Sequence, residues 1–141
     1  MAPHRATWPH RRLFILLALL ALPALGWADP TLTELLLPQT IPGADPSWFG
    51  FLMTLREGAP VTRNQLAEHL EQNNIQTRNL FAGNLTRHPC FDDLEEGTDY
   101  RIVVPLTNTD RIMNDSLWVG VYPGMGIDRL GFLIETVKRF F

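Results

Sequence analysis

Hydrophobic and polar positions alternate with different rhythms along the chain, and each change of rhythm marks an element. Residues 13–25, LFILLALLALPAL, form an apolar run interrupted only by Pro23, behind a basic, acid-free stretch, MAPHRATWPHRR. Gly26 and Ala28 then supply small residues where a signal peptidase reads them, so residues 1–28 match a secretory leader cleaved after Ala28. An apolar run of 13 residues is too short for a lasting membrane-crossing helix, and no stable transmembrane span is expected. The same residues also fit an unrelated coding stretch joined to the domain behind it, and both readings stay open.

From Asp29 the pattern breaks. Pro30, Pro38, Pro42, Pro46 and Gly43 oppose regular helix or central strand, so residues 29–46 read as a linker with one short apolar piece at Leu35 to Leu37. The folded unit is expected over 47–141. WFGFLMTLR (48–56) is apolar on both alternating faces, which suits a largely buried strand, and EGAP closes it. TRNQLAEHLEQNN (62–74) predicts a helix: Thr62 caps, Gln65 completes a capping box, and Asn73 and Asn74 suit the exit. Leu66, His69 and Leu70 share one face of it. IQTRNLF (75–81) predicts a short strand, and the acidic DDLEEGTD (92–99) a solvated loop. NTDRIMND (108–115) predicts two helical turns capped by Asn108 or Thr109, and SLWVGVYP (116–123) a strand stopped by Pro123. The last 18 residues predict an amphipathic helix with Leu130, Leu133, Ile134, Val137 and Phe141 facing inward. The fold class is therefore α+β: about three antiparallel strands covered on one face by helices.

Composition narrows the chemistry. A net charge of -3 with mixed signs gives no sign of a nucleic-acid partner. The single cysteine, Cys90, excludes an intrachain disulfide, a cysteine-only zinc site and an iron–sulfur cluster built from this chain alone. Polar groups concentrate in TRNLFAGNLTRHPC, residues 77–90, which brings two arginines, two asparagines and a histidine together around Phe81 and Gly83. Arginine there suits a phosphate, because its planar fork pairs two oxygens at once, and Phe81 suits a ring face. The plain alternatives are that Arg78 pairs with a surface acid and Asn84 caps a turn. Asp110 and Arg111 likewise read either as ligand or interdomain contacts or as charges of a short helix left in water, the second being the simpler.

PSWFGFLMTL, TRNLFAGNLTRHP, LTNTDRIMNDSLWVGVYPGM and the closing helix together resemble, over residues 36–141, the RfbH-type CDP-4-keto-6-deoxyglucose 3-dehydrases. These belong to the DegT/DnrJ/EryC1/StrS aminotransferase family. The resemblance implies the small C-terminal domain of the type I aspartate-aminotransferase fold. It implies pyridoxal or pyridoxamine phosphate as cofactor, a nucleotide-linked keto sugar as substrate, and a place in lipopolysaccharide O-antigen synthesis. It also implies that residues 77–89 face the cofactor cleft, with Arg78, Asn84 and Arg87 as substrate contacts; beside them Phe81 offers a ring face, and His88 reads either as a further donor to substrate or as a residue that fixes the loop before Pro89.

The family's catalytic groups are not expected in this chain. Its one lysine, Lys138, falls on the polar side of the last helix, and none of its four histidines sits in the family's catalytic context. The cysteines of the dehydrases' iron–sulfur centre are lacking too. The sequence therefore predicts a truncated dehydrase or aminotransferase, inactive alone and unable to hold the cofactor by itself. A separately encoded large domain or a second copy of the chain is its natural partner, because Trp48, Phe49, Trp118 and Tyr122 would otherwise expose an apolar patch. The alternative is an exported small binding module without catalytic activity. The family implies the cytoplasm and the leader implies export.

Overall fold

The computed structural model describes residues 32–44, 46 and 48–141. The leader expected over 1–28 lies outside them. The elements are β1 (Leu35–Leu36), β2 (Gly50–Leu55), α1 (Arg63–Gln72), β3 (Thr77–Asn79), α2 (Thr107–Asp115), β4 (Ser116–Gly120) and α3 (Ile127–Lys138). Single 3-10 turns form at Leu85–Arg87 and Pro89–Phe91. The strands make one antiparallel sheet of four in the order β1-β2-β4-β3.

Strand pairing decides what is buried. Phe51 and Met53 of β2 lie opposite Val119 and Leu117 of β4, and these four side chains point to the same face. That face is the core: Leu55, Leu66 and Leu70 of α1, and Leu130, Leu133, Ile134 and Val137 of α3 close over it. The opposite face carries Leu52, Trp118 and Arg78, and α1 and α3 do not cover it. β2 is therefore buried on one face, not on both as its apolar sequence suggests.

α1 forms as its sequence predicts. The Thr62 backbone N–H donates to Gln65 Oε1 at 2.8 Å, and the Gln65 N–H returns to Thr62 Oγ1 at 3.3 Å. The helix exits through Asn73, and Asn74 takes the left-handed region at φ 59°, which asparagine tolerates. His69 Nε2 lies 3.0 Å from the Thr136 carbonyl, which only accepts, so that nitrogen carries the proton. With its ring against Phe140, His69 ties α1 to α3 and has a structural role.

Three expectations change. The stretch expected as a linker contributes Leu32 and Leu35 to the core and pairs Leu35 and Leu36 with β2, giving four strands instead of three. A prolyl-rich chain can still do this at a sheet edge, where one side of the strand needs no ladder bonds. α2 begins at Thr107 behind Leu106, with no side-chain cap from Asn108 or Thr109. In α3, Thr136 is fully buried beside the expected apolar residues; its hydroxyl donates to the Phe132 carbonyl at 2.7 Å and accepts from Arg139, so burial leaves it satisfied.

Gly50 faces Gly120 across β2 and β4, and the Trp118 ring lies over it. A Cβ at Gly50 would stand 1.7 Å from Trp118 Cε3, so the indole approaches the strand this closely only because no side chain is there. Gly50→Ala is expected to push Trp118 off the sheet and destabilise the fold by roughly 1–3 kcal/mol in denaturant titrations. Leu70→Ala, at a position with no exposure, is expected to cost more, about 2–5 kcal/mol.

Candidate functional site

The polar stretch 77–90 leaves the sheet from β3 and is held in place by groups on three elements. Thr77 Oγ1 donates to Glu71 Oε1 at 2.7 Å, fixing β3 to the end of α1. Arg63, from the first turn of α1, donates through Nη1 to Asn79 Oδ1 and through Nη2 to the Met113 carbonyl at 3.3 Å. One guanidinium thus joins α1, β3 and α2. Beyond β3 the backbone turns sharply, with Phe81 at φ 47° and Gly83 at φ 64°. A Cβ on Gly83 would also approach Met113 Cγ to 2.5 Å, so glycine is required both by conformation and by space.

Asn84 organises the loop beyond this turn. Its Oδ1 accepts from the Thr86 N–H at 3.1 Å and the Thr86 hydroxyl at 2.8 Å, capping the 3-10 turn. Its Nδ2 donates to Asp110 Oδ1 at 2.6 Å. Arg87 meets the same carboxylate with a two-pronged contact, Nε to Oδ1 at 2.7 Å and Nη2 to Oδ2 at 2.8 Å. The hydrogen bond from Arg87, and then that from Asn84, hold the Asp110 carboxyl below the usual aspartate range. The same contact with Asp110 raises the already high pKa of Arg87. The planar fork matches the carboxylate, so the pair is rigid as well as attractive.

This clamp forms one wall of an open cleft of about 540 Å³, faced by Ile102, Val103, Val104 and Leu106. Two of the phosphate-type donors in the stretch are therefore in different places. Arg87 lines the cleft. Arg78 stands on the sheet face opposite the core, directly across from Trp118, and its side chain has no ion-pair or hydrogen-bond partner among the described residues. Phe81 shares that face, 82% exposed, with its ring centroid 6.1 Å from Trp118. Asn84 lines the cleft but is only 3% exposed, with both polar atoms engaged internally. His88 Nε2 donates to the Ala82 carbonyl and pins the turn between them. Cys90 is exposed in the second 3-10 turn.

Asp110 is the partner that the sequence conceals. Its simpler reading, a charge left in water, fails because the turn after Gly83 brings Arg87 to it from 23 residues away. Trp118 is the second: the sequence marks it as apolar and exposed, but only its pairing with Arg78 shows that it shares a face with the cation.

Lys138 is half-buried at the end of α3, with Nζ 3.5 Å from Glu135 Oε1, and lines neither the cleft nor the aromatic face. Among the described residues no group of three or more His, Cys, Asp or Glu side chains could hold a metal ion. No helix among them is long and apolar enough to cross a membrane.

Comparison with known proteins gives one answer. Over 110 residues, 77% of this chain, it is 46% identical to the lipopolysaccharide biosynthesis protein RfbH of Salmonella typhimurium. Over 109 residues it is 45% identical to the dTDP-4-dehydro-2,6-dideoxy-D-glucose 3-dehydratase of Saccharopolyspora spinosa. The chain spans about a quarter of the length of these relatives, 24% and 23%. Among solved structures, Escherichia coli GDP-4-keto-6-deoxy-D-mannose-3-dehydratase with bound hydrated PLP superimposes with a TM-score of 0.66. That match is 23% identical and covers 90% of this chain and 28% of the other, so it establishes the fold. Residues 30–138 match the DegT/DnrJ/EryC1/StrS aminotransferase family, and the chain belongs to it.

Proposed function

We propose that this chain is the substrate-facing small domain of a nucleotide-sugar 3-dehydratase and does not turn over substrate alone. The observation that carries the reading is the ordered rim at residues 78–88, lying within the segment that is 45% identical to a sugar 3-dehydratase. Each residue has a distinct part. Arg78, without an internal partner, offers its fork to a phosphate oxygen of the nucleotide. Arg87 is neutralised by Asp110 and keeps N–H donors beyond the two bonded to it, which suits a sugar hydroxyl better than a dianion. Phe81 supplies a ring face. Asn84 positions Arg87 by holding Asp110 and the 3-10 turn, and His88 fixes the loop, so both act through their neighbours.

Cofactor chemistry falls to the rest of the enzyme. The relatives are about four times as long as the matched segment, which leaves room for the pyridoxal-binding portion as a companion domain. The cleft's wall of exposed Val103 and Val104 is a surface available to it.

Replacing the matching segment of the Saccharopolyspora dehydratase with residues 30–141 tests this. The chimera is expected to dehydrate its sugar nucleotide, and Arg78→Ala or Arg87→Ala in it to raise KM roughly 10- to 100-fold, as loss of a charged hydrogen bond does. A correctly folded chimera without activity, or one indifferent to both changes, contradicts the reading. The isolated chain, given pyridoxamine phosphate and the same substrate, is expected to show no turnover.

The clamp has a pH signature. Asp110 is more acidic folded than unfolded, so its contribution is complete above the ordinary aspartate value and is lost as pH falls through the lowered one. The Tm difference between the native chain and Asp110→Asn is therefore expected to be constant near neutrality and to shrink below about pH 4. A difference unchanged into acid would show that the carboxylate charge is not what holds Arg87.

A further inference from the structure

The sheet face opposite the core carries an arrangement that the cleft does not explain. Phe49, 77% exposed, packs on Trp118 with centroids 5.0 Å apart, and Phe81, 82% exposed, lies 6.1 Å from the same indole. Large aromatic side chains left in water lose the benefit of burial, so neither phenylalanine is there to fill the core. Phe81 is also held in the left-handed backbone region, rare for a bulky aromatic residue. Packing within the described residues does not offset this strain, since the ring stays exposed. The indole itself is fixed: it lies over Gly50, and its Nε1 donates to the Asn79 carbonyl at 3.1 Å. Arg78 flanks it on the neighbouring strand, on the same face.

We propose that Phe49, Trp118 and Phe81 form a ledge on which the base of a nucleotide stacks, with Arg78 taking a phosphate oxygen at its edge. This deepens the nucleotide-sugar reading above and rests on it. A held aromatic surface beside an unpaired guanidinium has the two features that a nucleoside diphosphate needs, a π-face and a cation. Stacking is indifferent to base identity because every base has such a face. That fits relatives whose names specify a dTDP sugar in one case and a GDP sugar in another. The cleft behind Arg87 would then receive the sugar, and the two arginines would divide the ligand between them.

Titration of the full chain with GDP, dTDP, guanosine and inorganic pyrophosphate, by calorimetry and by the indole N–H resonances, tests the ledge. Both nucleoside diphosphates are expected to bind with affinities within about tenfold of each other and to shift the Trp118 resonance, with pyrophosphate far weaker. Phe81→Ala and Phe49→Ala, at exposed positions that folding tolerates, are each expected to weaken both nucleotides by about 5- to 100-fold. Arg78→Ala is expected to weaken the diphosphates and leave guanosine unchanged. Nucleotide binding that survives both ring substitutions but is lost in Arg87→Ala overturns the ledge while the nucleotide-sugar reading stands. Pyrophosphate binding as tight as GDP also overturns the ledge. So does a dimer that Phe81→Ala dissolves, without nucleotide binding, which would assign the face to a second copy of the chain. Absence of binding by the native chain overturns the ledge as well, and the chimera's activity decides separately whether the wider reading falls with it.

Discussion

The pairing of β2 with β4 is the constraint on which the rest of the molecule depends. Its register sets Phe51 and Met53 beside Val119 and Leu117, and α1 and α3 have only that face to cover. A slip of one residue would exchange the two faces, burying Trp118 and exposing Leu117. Because the register is fixed, Gly50 falls under the indole and Arg78 falls beside it. The aromatic face is thus a product of the same pairing that makes the core.

The candidate site depends on a second level of organisation, built from side chains and not from the backbone ladder. Arg63 ties β3 to α1 and α2, and Asp110 gathers Asn84 and Arg87 from one loop onto α2. Neither group is part of the apolar core. Their exposure would make an isolated ion pair weak, but the shared carboxylate and the two-pronged geometry convert it into a positional device. Its value lies in the direction it gives Arg87.

Much of this was legible in the sequence where the signal is local. The capping box at Thr62 and Gln65, the exit at Asn73 and Asn74 and the inward stripe Leu130, Leu133, Ile134 and Val137 are all patterns of period or spacing, and all form as read. The contribution of Leu32 and Leu35 was hidden, because prolines mark a break in regular structure without telling whether the residues between them pack. The start of α2 was similar: Asn108 and Thr109 were available as caps, but the helix begins at Thr107 behind Leu106 without a side-chain cap. At the site, residue types in 77–90 pointed to a ligand, but their partition between a cleft and a sheet face depended on Asp110 and Trp118, which no spacing rule connects to them. Four motif stretches in a fixed order, not periodicity, carried the family assignment.

The two-residue strand Leu35–Leu36 has a practical bearing on the domain's lower limit. It pairs with β2 at Leu55 and Thr54, and the Glu34 carbonyl accepts from Arg56 N–H at 2.8 Å. A chain trimmed at Ser47, where the composition invites a cut, would bare the margin of β2 at Thr54 and Leu55 along with the apolar seat of Leu32 and Leu35. Unpaired margins of that kind recruit strands from other molecules. The short proline-bounded piece is thus a selvedge for one end of the sheet: its loss would lengthen the unpaired margin of β2 open to strands of other molecules.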